Sequence, residues 1–407
     1  MKHFLCIIVL LAGASTAEQL FSRCHSSTRA ACVKDYAAAI PGPFFRPPST
    51  DLEHTYDFSD IVIAGDKSTQ ILNDSDFLVF DQKRGMEILG SPSYEILWND
   101  TAELEGATYV PRQNKIYTMR LFETETSQVS FYQLVVDLNK DPPTVSKYFT
   151  NPPIIQASGG SYHNGILYVG VCGSNDNITR GGPSRSGIRA IDIETGKSTV
   201  LLNNYFGTPW GCIDDLVVHP GTGDIFFSNN DYGWASGGYD FAMAAPELPV
   251  AIFRFTPSTG AVRVVDDTLK EPNGLAFSPD YKTMYISDTG SVSPIAGMSG
   301  QQYTSTGHRT IYAYNVSQDT VHLTNKRAFY LTQDLIPDAL RVAANGYVLC
   351  SAGNGVDVVD TQGILLLRIK TDFLVASFTF GGRNMDELWL TGSRIVRVKW
   401  NLTGVVH

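Results

Sequence analysis

A polar segment recurs along this chain, and each time it opens a short stretch rich in β-forming residues. Four of these segments carry an oxygen-bearing side chain, and a glycine-rich segment fills the remaining place in the series. The segments are 104–107, 158–161, 213–216, 272–275 and 337–340. Measured between Glu105, Gly160, Asp214, Asn273 and Asp338, the steps are 55, 54, 59 and 65 residues. A sixth unit of similar length fits after Phe373.

This period is typical of a closed radial array of four-stranded sheets, in which the innermost strand of each unit lines a central channel. A chain of 407 residues without a break in composition is long for one ordinary core, but it suits one symmetric fold. No run of the chain has the pattern of an amphipathic helix of three turns. The sequence therefore predicts an all-β fold, a six-bladed β-propeller with a central polar channel.

The recurring oxygen side chains converge on one axis if they begin the innermost strands. Carboxylates and one amide in a ring are the ligands that a hard cation such as Ca²⁺ prefers. The sequence places no Cys or His at these positions, so a softer metal is not indicated. We expect a divalent-cation site in the channel.

Charge and composition narrow the class of partner. Hydrophobic residues make up 43% and charged residues 18% of the chain, which is ordinary for a globular protein with a large core. The formal charge is -10 and the pI is near 5.3, with no basic run. This balance argues against binding to nucleic acid or to an anionic membrane surface and leaves a small molecule as the expected partner. The sequence does not indicate an oligomeric state.

The N-terminus has the pattern of a secretory signal. Lys2 precedes an apolar run, 4–11, and small residues at 15–17 predict cleavage after Ala17. Residues 18–75 are polar and proline-bearing and are expected to form an arm on the outside of a propeller that spans 76–407. Sequons for N-glycosylation fit a secreted protein and occur at Asn73, Asn99, Asn177, Asn315 and Asn401.

Cysteines remain in an odd number once the signal is removed. Of Cys24, Cys32, Cys172, Cys212 and Cys350, at least one must stay unpaired within the chain. The short separation of Cys24 and Cys32 favours a disulfide between them. The other three lie in strand-like sequence and are expected to be buried thiols.

Two connections are longer than a hairpin requires. One runs from Asn229 to Pro249 and includes Tyr232 and Trp234; the other, 290–308, is rich in Gly and Ser. Long loops inside compact folds are usually functional. We expect them either to cover an apolar substrate pocket, with Tyr232 and Trp234 as binding residues, or to decorate the surface. His163 is a candidate for the same channel, as a proton shuttle or as a hydrogen-bonded turn residue.

The ordered set of motifs resembles a known family. The residues that carry the resemblance are Glu105-Gly106, the segments 213–220 and 272–280, and Ile336-Pro337-Asp338. Over roughly residues 77 to 400, the chain is similar to the senescence-marker-protein/gluconolactonase family of six-bladed β-propellers. Within that family it most resembles the secreted fungal lactonohydrolases, and Asp288-Thr289-Gly290 strengthens this likeness.

The resemblance implies a ligand set. It assigns Glu105, Asn273 and Asp338 to a divalent cation, and it matches a typical Asn-Asp pair to Asp214 and Asp215. Asp214 therefore departs from the family pattern by adding a charge beside the cation. Ala339 departs by replacing a glycine.

A lactone hydrolase follows from this assignment. The cation would polarise the lactone carbonyl while a carboxylate takes a proton from the attacking water, with Asp338 as the first candidate base and Asp215 as the second. Two alternatives remain open on the same scaffold. One is a hetero-Diels-Alderase of secondary-metabolite biosynthesis that positions apolar partners without a metal, and the other is a ligand-binding propeller without chemistry.

Overall fold

The computed structural model describes most of the chain. The described residues are 19–25, 29–34, 38–40, 43–52, 54–123, 128–129, 131–174, 184–235, 246–294, 301–317 and 322–405.

Strands dominate the described residues, and the larger sheets are numbered here in the order of their first strands. Sheet 1 contains Ala102–Val110, Lys115–Glu123, Gln133–Asp137 and Thr144–Tyr148, with Gln128–Val129 beside the second strand. Sheet 2 contains Ala157–His163, Ile166–Val171, Gly187–Asp192 and Ser198–Leu202. Sheet 3 contains Cys212–Val218, Ile225–Asn230, Ala251–Thr256 and Ala261–Asp266. Sheet 4 contains Pro272–Phe277, Thr283–Asp288, Thr310–Val316 and Leu323–Leu331.

The last two sheets combine C-terminal strands with strands from the N-terminal part of the chain. Sheet 5 contains Pro337–Val342, Val348–Ala352, Gly355–Val359 and Leu365–Lys370, followed outward by Phe77–Val79, Ala30–Val33 and Phe21–Arg23. Sheet 6 contains Val375–Gly381, Glu387–Gly392, Arg394–Lys399 and, as its outer strand, Ser93–Asn99. The two ends of the chain are thus joined within the same sheets.

The first strands of these sheets form a closed ring. Each contacts the first strand of the next sheet, and the first strand of sheet 6 contacts that of sheet 1. This arrangement confirms the predicted all-β propeller, and the predicted unit after Phe373 begins at Val375.

Apolar side chains fill the spaces between neighbouring sheets. One cluster includes Ile116 of sheet 1, Leu367 of sheet 5 and Trp389 of sheet 6. Another joins Phe226 of sheet 3 to Ile286 of sheet 4. Because alternate side chains of a strand point to opposite faces, each sheet packs on both of its neighbours.

Helices and small ribbons are few among the described residues. The α-helices are Gln82–Leu89 and Tyr232–Ala235, and the 3-10 helices are Phe58–Asp60 and Ser68–Leu72. Two-stranded ribbons pair Phe44–Phe45 with Val62–Ile63 and Val292–Pro294 with Gln301–Tyr303. None of the helices in the described ranges combines the length and the apolar character that a membrane span requires.

The cysteines differ in part from expectation. The predicted Cys24–Cys32 disulfide is confirmed. The prediction of free thiols at Cys172 and Cys212 is wrong, because the ring brings the end of a sheet 2 strand against the start of sheet 3 and the two residues form a disulfide. Among the cysteines in the described ranges, Cys350 is free and buried.

The N-terminal segment contributes to the propeller directly. The strands at 21–23 and 30–33 extend sheet 5, with Ala30–Val33 running parallel to Phe77–Val79. The signal predicted at 1–17 lies outside the described residues.

Candidate functional site

The pairing register shifts in the first strand of every large sheet. The shifts lie between Glu105/Thr108, Ala157/Gly160, Ile213/Leu216, Pro272/Leu275, Pro337/Leu340 and Val375/Ser377. A β-bulge leaves extra residues unpaired and turns their side chains away from the regular alternation. In sheets 3, 4 and 5 the unpaired residues are those that the sequence predicted as ligands, Asp214, Asn273 and Asp338. The recurring polar motif therefore marks the position of a recurring β-bulge.

Hydroxyl side chains support these irregular backbones. A Ser or Thr on the second strand of a sheet bonds to the first strand of the same sheet about 13 residues earlier in four cases. These bonds are Thr118 Oγ1 to the Glu105 carbonyl at 2.9 Å, the Asp215 amide to Ser228 Oγ at 3.0 Å, Ser287 Oγ to the Gly274 carbonyl at 3.4 Å and Thr391 Oγ1 to the Ser377 carbonyl at 3.0 Å. In sheet 5 the Ala339 amide donates to Ser351 Oγ at 2.9 Å. Each hydroxyl replaces a bond that the bulge removes from the ladder.

The bulges bring carboxylates from three sheets together in an acidic cluster. We define the cluster as Glu103, Glu105, Asp214, Asp215 and Asp338. Burial raises the pKa of Glu105 and of Asp338 well above the usual range, and Glu103, Asp214 and Asp215 add to both shifts. Burial likewise raises the pKa of Asp214 to about 7 and that of Asp215 to about 6. The cluster thus brings carboxyl groups of three sheets within range of one another's charge, and of the five only Asp215 is buried.

Hydrogen bonding divides the cluster into two kinds of carboxylate. Asp214 Oδ2 accepts a bond of 2.6 Å from Asn230 Nδ2. Asp215 accepts from the Leu216 amide at 2.8 Å and, with its other oxygen, from the Leu275 amide at 3.2 Å. The side chains of Glu103, Glu105 and Asp338 accept no hydrogen bond within the described residues.

Asn273 borders the cluster from sheet 4. It is 7% exposed, and its amide group makes no hydrogen bond within the part of the chain that the structure describes. The adjacent Gly274 lies against the first strand of sheet 5, since an added Cβ would be 2.3 Å from the Asp338 carbonyl. The fold thus provides an unpaired amide beside unpaired carboxylates.

Two glycines let the strands approach at the cluster. A Cβ on Gly159 would lie 2.4 Å from Asp215 Cα and 2.5 Å from the Asp214 carbonyl. Gly106 has a φ of 54°, and its Cβ would lie 2.0 Å from the Ser158 carbonyl. The glycine-rich segment in the series is therefore needed to bring the sheet 2 strand close to the acidic residues of sheet 3.

The donor set fits a hard cation in its chemistry. Within the described residues, no group of three or more His, Cys, Asp or Glu side chains is placed to hold a metal ion. The unpaired groups that face the cluster are nevertheless carboxylate and amide oxygens, the donors that Ca²⁺ prefers. Glu105, Asp214, Asn273 and Asp338 remain the residues that would hold such an ion.

Tyr232 approaches the cluster from the connection between sheets 3 and 4. Its hydroxyl bonds to Thr289 Oγ1 and donates to the Val292 carbonyl at 3.4 Å. Burial raises its pKa well above the usual range, and Asp214 and Asp338 contribute to the shift. Trp234 is half-buried two residues further along the same short helix. Much of both predicted lid loops, at 236–245 and 295–300, lies outside the described residues.

His163 lies elsewhere in the channel. It ends the first strand of sheet 2, and its ring bonds to Asn164 Nδ2 at 2.9 Å. It lines a cavity of about 120 Å³ with the later residues of the first strands, such as Leu216, Phe277 and Arg341. None of the four predicted ligands lines this cavity. His163 is thus both hydrogen-bonded to a turn residue and exposed to this cavity, which neither Tyr232 nor the acidic cluster lines.

The predicted glycosylation positions have different surroundings. Four of the five asparagines are exposed, namely Asn73, Asn99, Asn315 and Asn401. Asn177 lies outside the described residues. The exposed positions leave room for a glycan.

Several residues of the site do not follow from the sequence pattern alone. Glu103 precedes Glu105 by two residues, which is the spacing of one strand face, so its position could have been found. Asn230 ends an apolar strand with a run of polar residues, Ser228-Asn229-Asn230. That polar run could have indicated that the end of the strand belongs to a site. Arg341 gives no such signal, because only the ring geometry brings it toward carboxylates of other sheets.

Comparison with known proteins places this geometry in a family. The family described as the SMP-30/gluconolactonase/LRE-like region matches residues 183–394, more than half of the chain. The chain belongs to this family. Its matched part includes the bulges that carry Asp214, Asn273 and Asp338.

Relatives extend the likeness over nearly the whole chain. The lactonohydrolase oryH of Aspergillus oryzae is 36% identical, covering 98% of this chain and 97% of its own length. The lactonohydrolase oryL of the same organism is 36% identical, covering 95% and 88%.

Solved structures show the same fold at low sequence identity. A putative gluconolactonase superposes with a TM-score of 0.64 and 20% identity, over 80% of this chain and 98% of its own. The calcium-binding protein regucalcin of Agrobacterium tumefaciens superposes with a TM-score of 0.54 and 15% identity, over 76% and 94%.

Proposed function

We propose that this protein is a lactone hydrolase whose acidic cluster holds one divalent cation, Ca²⁺, in the channel of a six-bladed propeller. The observation that supports the proposal is the series of bulges in the first strands, which carries Asp214, Asn273 and Asp338, with Glu105 at the edge of the corresponding shift in sheet 1. The identity of 36% to two lactonohydrolases over nearly the full chain supports the reaction class. The proposed substrate class is a small lactone.

Asp338 is the favoured general base. Its carboxylate accepts no hydrogen bond within the described residues, so it is available to a water molecule. Asp215, the second candidate, has both oxygens bound to backbone amides and ties sheet 3 to sheet 4. We therefore assign Asp215 a positioning role.

The reaction requires one proton to move twice. A bound divalent cation supplies Lewis-acid polarisation of the lactone carbonyl. Asp338 takes a proton from water as the water oxygen bonds to the acyl carbon. The ring C–O ester bond then breaks, and the proton passes from Asp338 to the leaving alkoxide, which gives a hydroxy acid. Tyr232 is the proposed substrate-orienting residue through its ring, because its hydroxyl is bonded to Thr289 and to the Val292 carbonyl.

The test is turnover of a lactone panel by the purified protein and by Asp338→Asn. The amide keeps an oxygen but cannot accept the proton, so turnover should fall by about 10²-fold or more. The matched control is Asp267→Asn, because Asp267 is exposed and outside the channel. Undiminished turnover in Asp338→Asn would contradict the assignment. If the wild-type protein hydrolyses no lactone, the proposed hydrolase function is wrong. Products formed from apolar partners would then favour the hetero-Diels-Alderase alternative.

We also propose that the protein is secreted. The signal pattern at 1–17, the two disulfides and the exposed sequons support passage through an oxidising compartment. Treatment of the secreted protein with an endoglycosidase should lower its apparent mass. An unchanged mass would remove the glycosylation part of the proposal.

A further inference from the structure

The cavity that includes His163 lies at the other end of the channel from the acidic cluster. The bulges that carry the cluster residues lie near the beginnings of the first strands, whereas the later residues of those strands line the cavity. All six large sheets contribute to its wall, through Thr108, Ser161, Leu216, Leu275, Leu340 and Thr379. The channel therefore contains a second compartment that the proposed lactone reaction does not use.

The wall of this cavity is mostly apolar. Leu275, Phe277, Val342, Phe380 and Met385 line it, and all five are buried in the fold. Its volume of about 120 Å³ is close to that of an apolar protein cavity of roughly 150 Å³ that binds benzene. The cavity thus has room for about one small ring.

The segment after the last strand closes one side of the cavity. The Gly404 amide donates to the Met385 carbonyl at 2.8 Å, and the Ala344 amide donates to the Thr403 carbonyl at 2.8 Å. These bonds fix the backbone on both sides of the turn into the wall, and the partly exposed Val405 lines the cavity.

Arg341 is the charged group of the wall. Its Nη2 donates to the Ala107 carbonyl at 3.0 Å, and its Nη1 donates to the Leu340 carbonyl at 2.7 Å. A guanidinium has five N–H donors, and within the described residues Arg341 forms no ion pair. Among the described residues that line the cavity there is no Asp, Glu or Lys. Burial lowers the pKa of His163, so Arg341 supplies the positive charge of the wall at neutral pH.

We propose that this cavity binds a small organic carboxylate, with an apolar body of about one ring against the wall and the carboxylate on Arg341. Pockets of this kind combine apolar walls with a few polar groups that orient the ligand. A planar guanidinium that two backbone carbonyls already hold in place is suited to bind a carboxylate through paired hydrogen bonds. Binding here requires neither the proposed cation nor lactone turnover, so the two proposals fail separately.

The experiment is calorimetric titration of benzoate into the chelator-treated full chain, with benzyl alcohol as the uncharged comparison. Removing divalent cations prevents benzoate from binding to a metal at the acidic cluster. Benzoate should bind at about one molecule per chain and about tenfold more tightly than benzyl alcohol, because only benzoate forms charge-assisted hydrogen bonds. Equal affinities would overturn the assignment of a carboxylate ligand, and no binding of either compound would overturn the site.

Variants of Arg341 test the contact with the carboxylate. Arg341→Gln should weaken benzoate binding by about tenfold or more and should change benzyl alcohol binding by no more than about threefold. Arg341→Lys keeps the charge but not the planar fork and should give an intermediate affinity for benzoate. The matched control is Arg189→Gln, because Arg189 is partly exposed on the third strand of sheet 2 and does not line the cavity. Wild-type benzoate affinity in Arg341→Gln would overturn the proposal.

A variant that fills the cavity tests the location, and it remains decisive if Arg341→Gln does not fold. Val405→Trp places a large side chain at the cavity from outside the strands, so it should weaken both compounds by about tenfold or more. Val200→Trp is the control, because Val200 is exposed on the outer strand of sheet 2, and it should leave both affinities unchanged. A folded Val405→Trp protein that binds both compounds as wild type does would overturn the location.

Discussion

At the residue scale, the site depends as much on glycines as on carboxylates. The sequence indicated the candidate ligands because they recur at similar spacing, and these residues do lie on the first strands. It could not indicate why the second unit has Gly159 and Gly160 in place of an acid. The reason is contact, since the strand carrying Gly159 touches the backbone of Asp214 and Asp215. Contacts between strands that are about 55 residues apart are invisible to a local pattern.

Gly159→Ala should damage the site through packing alone. The added Cβ would meet backbone atoms at 2.4 and 2.5 Å, which cannot move without displacing Asp214 and Asp215. We expect a loss of about 1–3 kcal/mol in the free energy of unfolding, from overpacking, together with weaker Ca²⁺ binding. Denaturant unfolding and calorimetry measure the two effects.

Gly165→Ala is the matched control for that change. Gly165 has a φ of 87° but no atom within 4 Å of an added Cβ, so the substitution should cost stability without altering Ca²⁺ binding. Equal Ca²⁺ binding by the Gly159 and Gly165 variants would show that the close approach at Gly159 does not shape the site.

At the element scale, the bulge and its hydroxyl form one repeated unit. The hairpins of the repeats follow from turn chemistry and alternation, and the sequence indicates them. The bulges do not follow, because a polar residue at the start of a strand has the same pattern whether or not the ladder shifts. The recurring hydroxyls at Thr118, Ser228, Ser287, Ser351 and Thr391 are explained only when the bulged backbone is seen.

The Cys172–Cys212 disulfide also acts between neighbouring elements. It joins sheets 2 and 3 two residues before Asp214, and Gly233 of the Tyr232 helix packs against it. Replacing both cysteines by alanine should cost about 4 kcal/mol, as a 40-residue separation implies in the chain-entropy account. Denaturant unfolding measures this loss, and lactone turnover should fall as well because the helix and Asp214 lose a shared support.

The Cys24–Cys32 pair provides the comparison. Its separation is 8 residues, so its removal should cost less, about 2.5 kcal/mol, and should leave turnover unchanged. Equal effects of the two pairs on turnover would contradict the role assigned to Cys172–Cys212.

At the scale of the whole molecule, N-terminal strands complete sheets that the C-terminal half begins. The sequence predicted an outer arm, since residues 18–75 lack periodicity. It could not show that strands at 21–23 and 30–33 extend sheet 5, because strands of three and four residues carry little pattern. Nor could it show that Ser93–Asn99 closes sheet 6, since that partnership joins residues about 300 positions apart.

Arg368 links the N-terminal segment to sheet 5. Its fully buried guanidinium donates to Asp357 and Asp334 at 2.8 Å each and lies 3.7 Å from Asp57. Arg368→Met leaves buried carboxylates without their partner and should cost about 3–5 kcal/mol in thermal or denaturant unfolding. Arg394→Met is the control, because its pair with Asp372 is more exposed and should contribute no more than about 1 kcal/mol. Similar losses in both variants would show that the buried network does not anchor the arm.

The central claim is that one hard cation, held by the acidic cluster, is required for lactone hydrolysis. The most direct test removes metal with a chelator, returns Ca²⁺ in measured steps, and follows bound metal and turnover of the best lactone together. We predict about one Ca²⁺ per chain at saturation and turnover that rises in proportion to occupancy. Full turnover in protein that contains no divalent cation would contradict the claim.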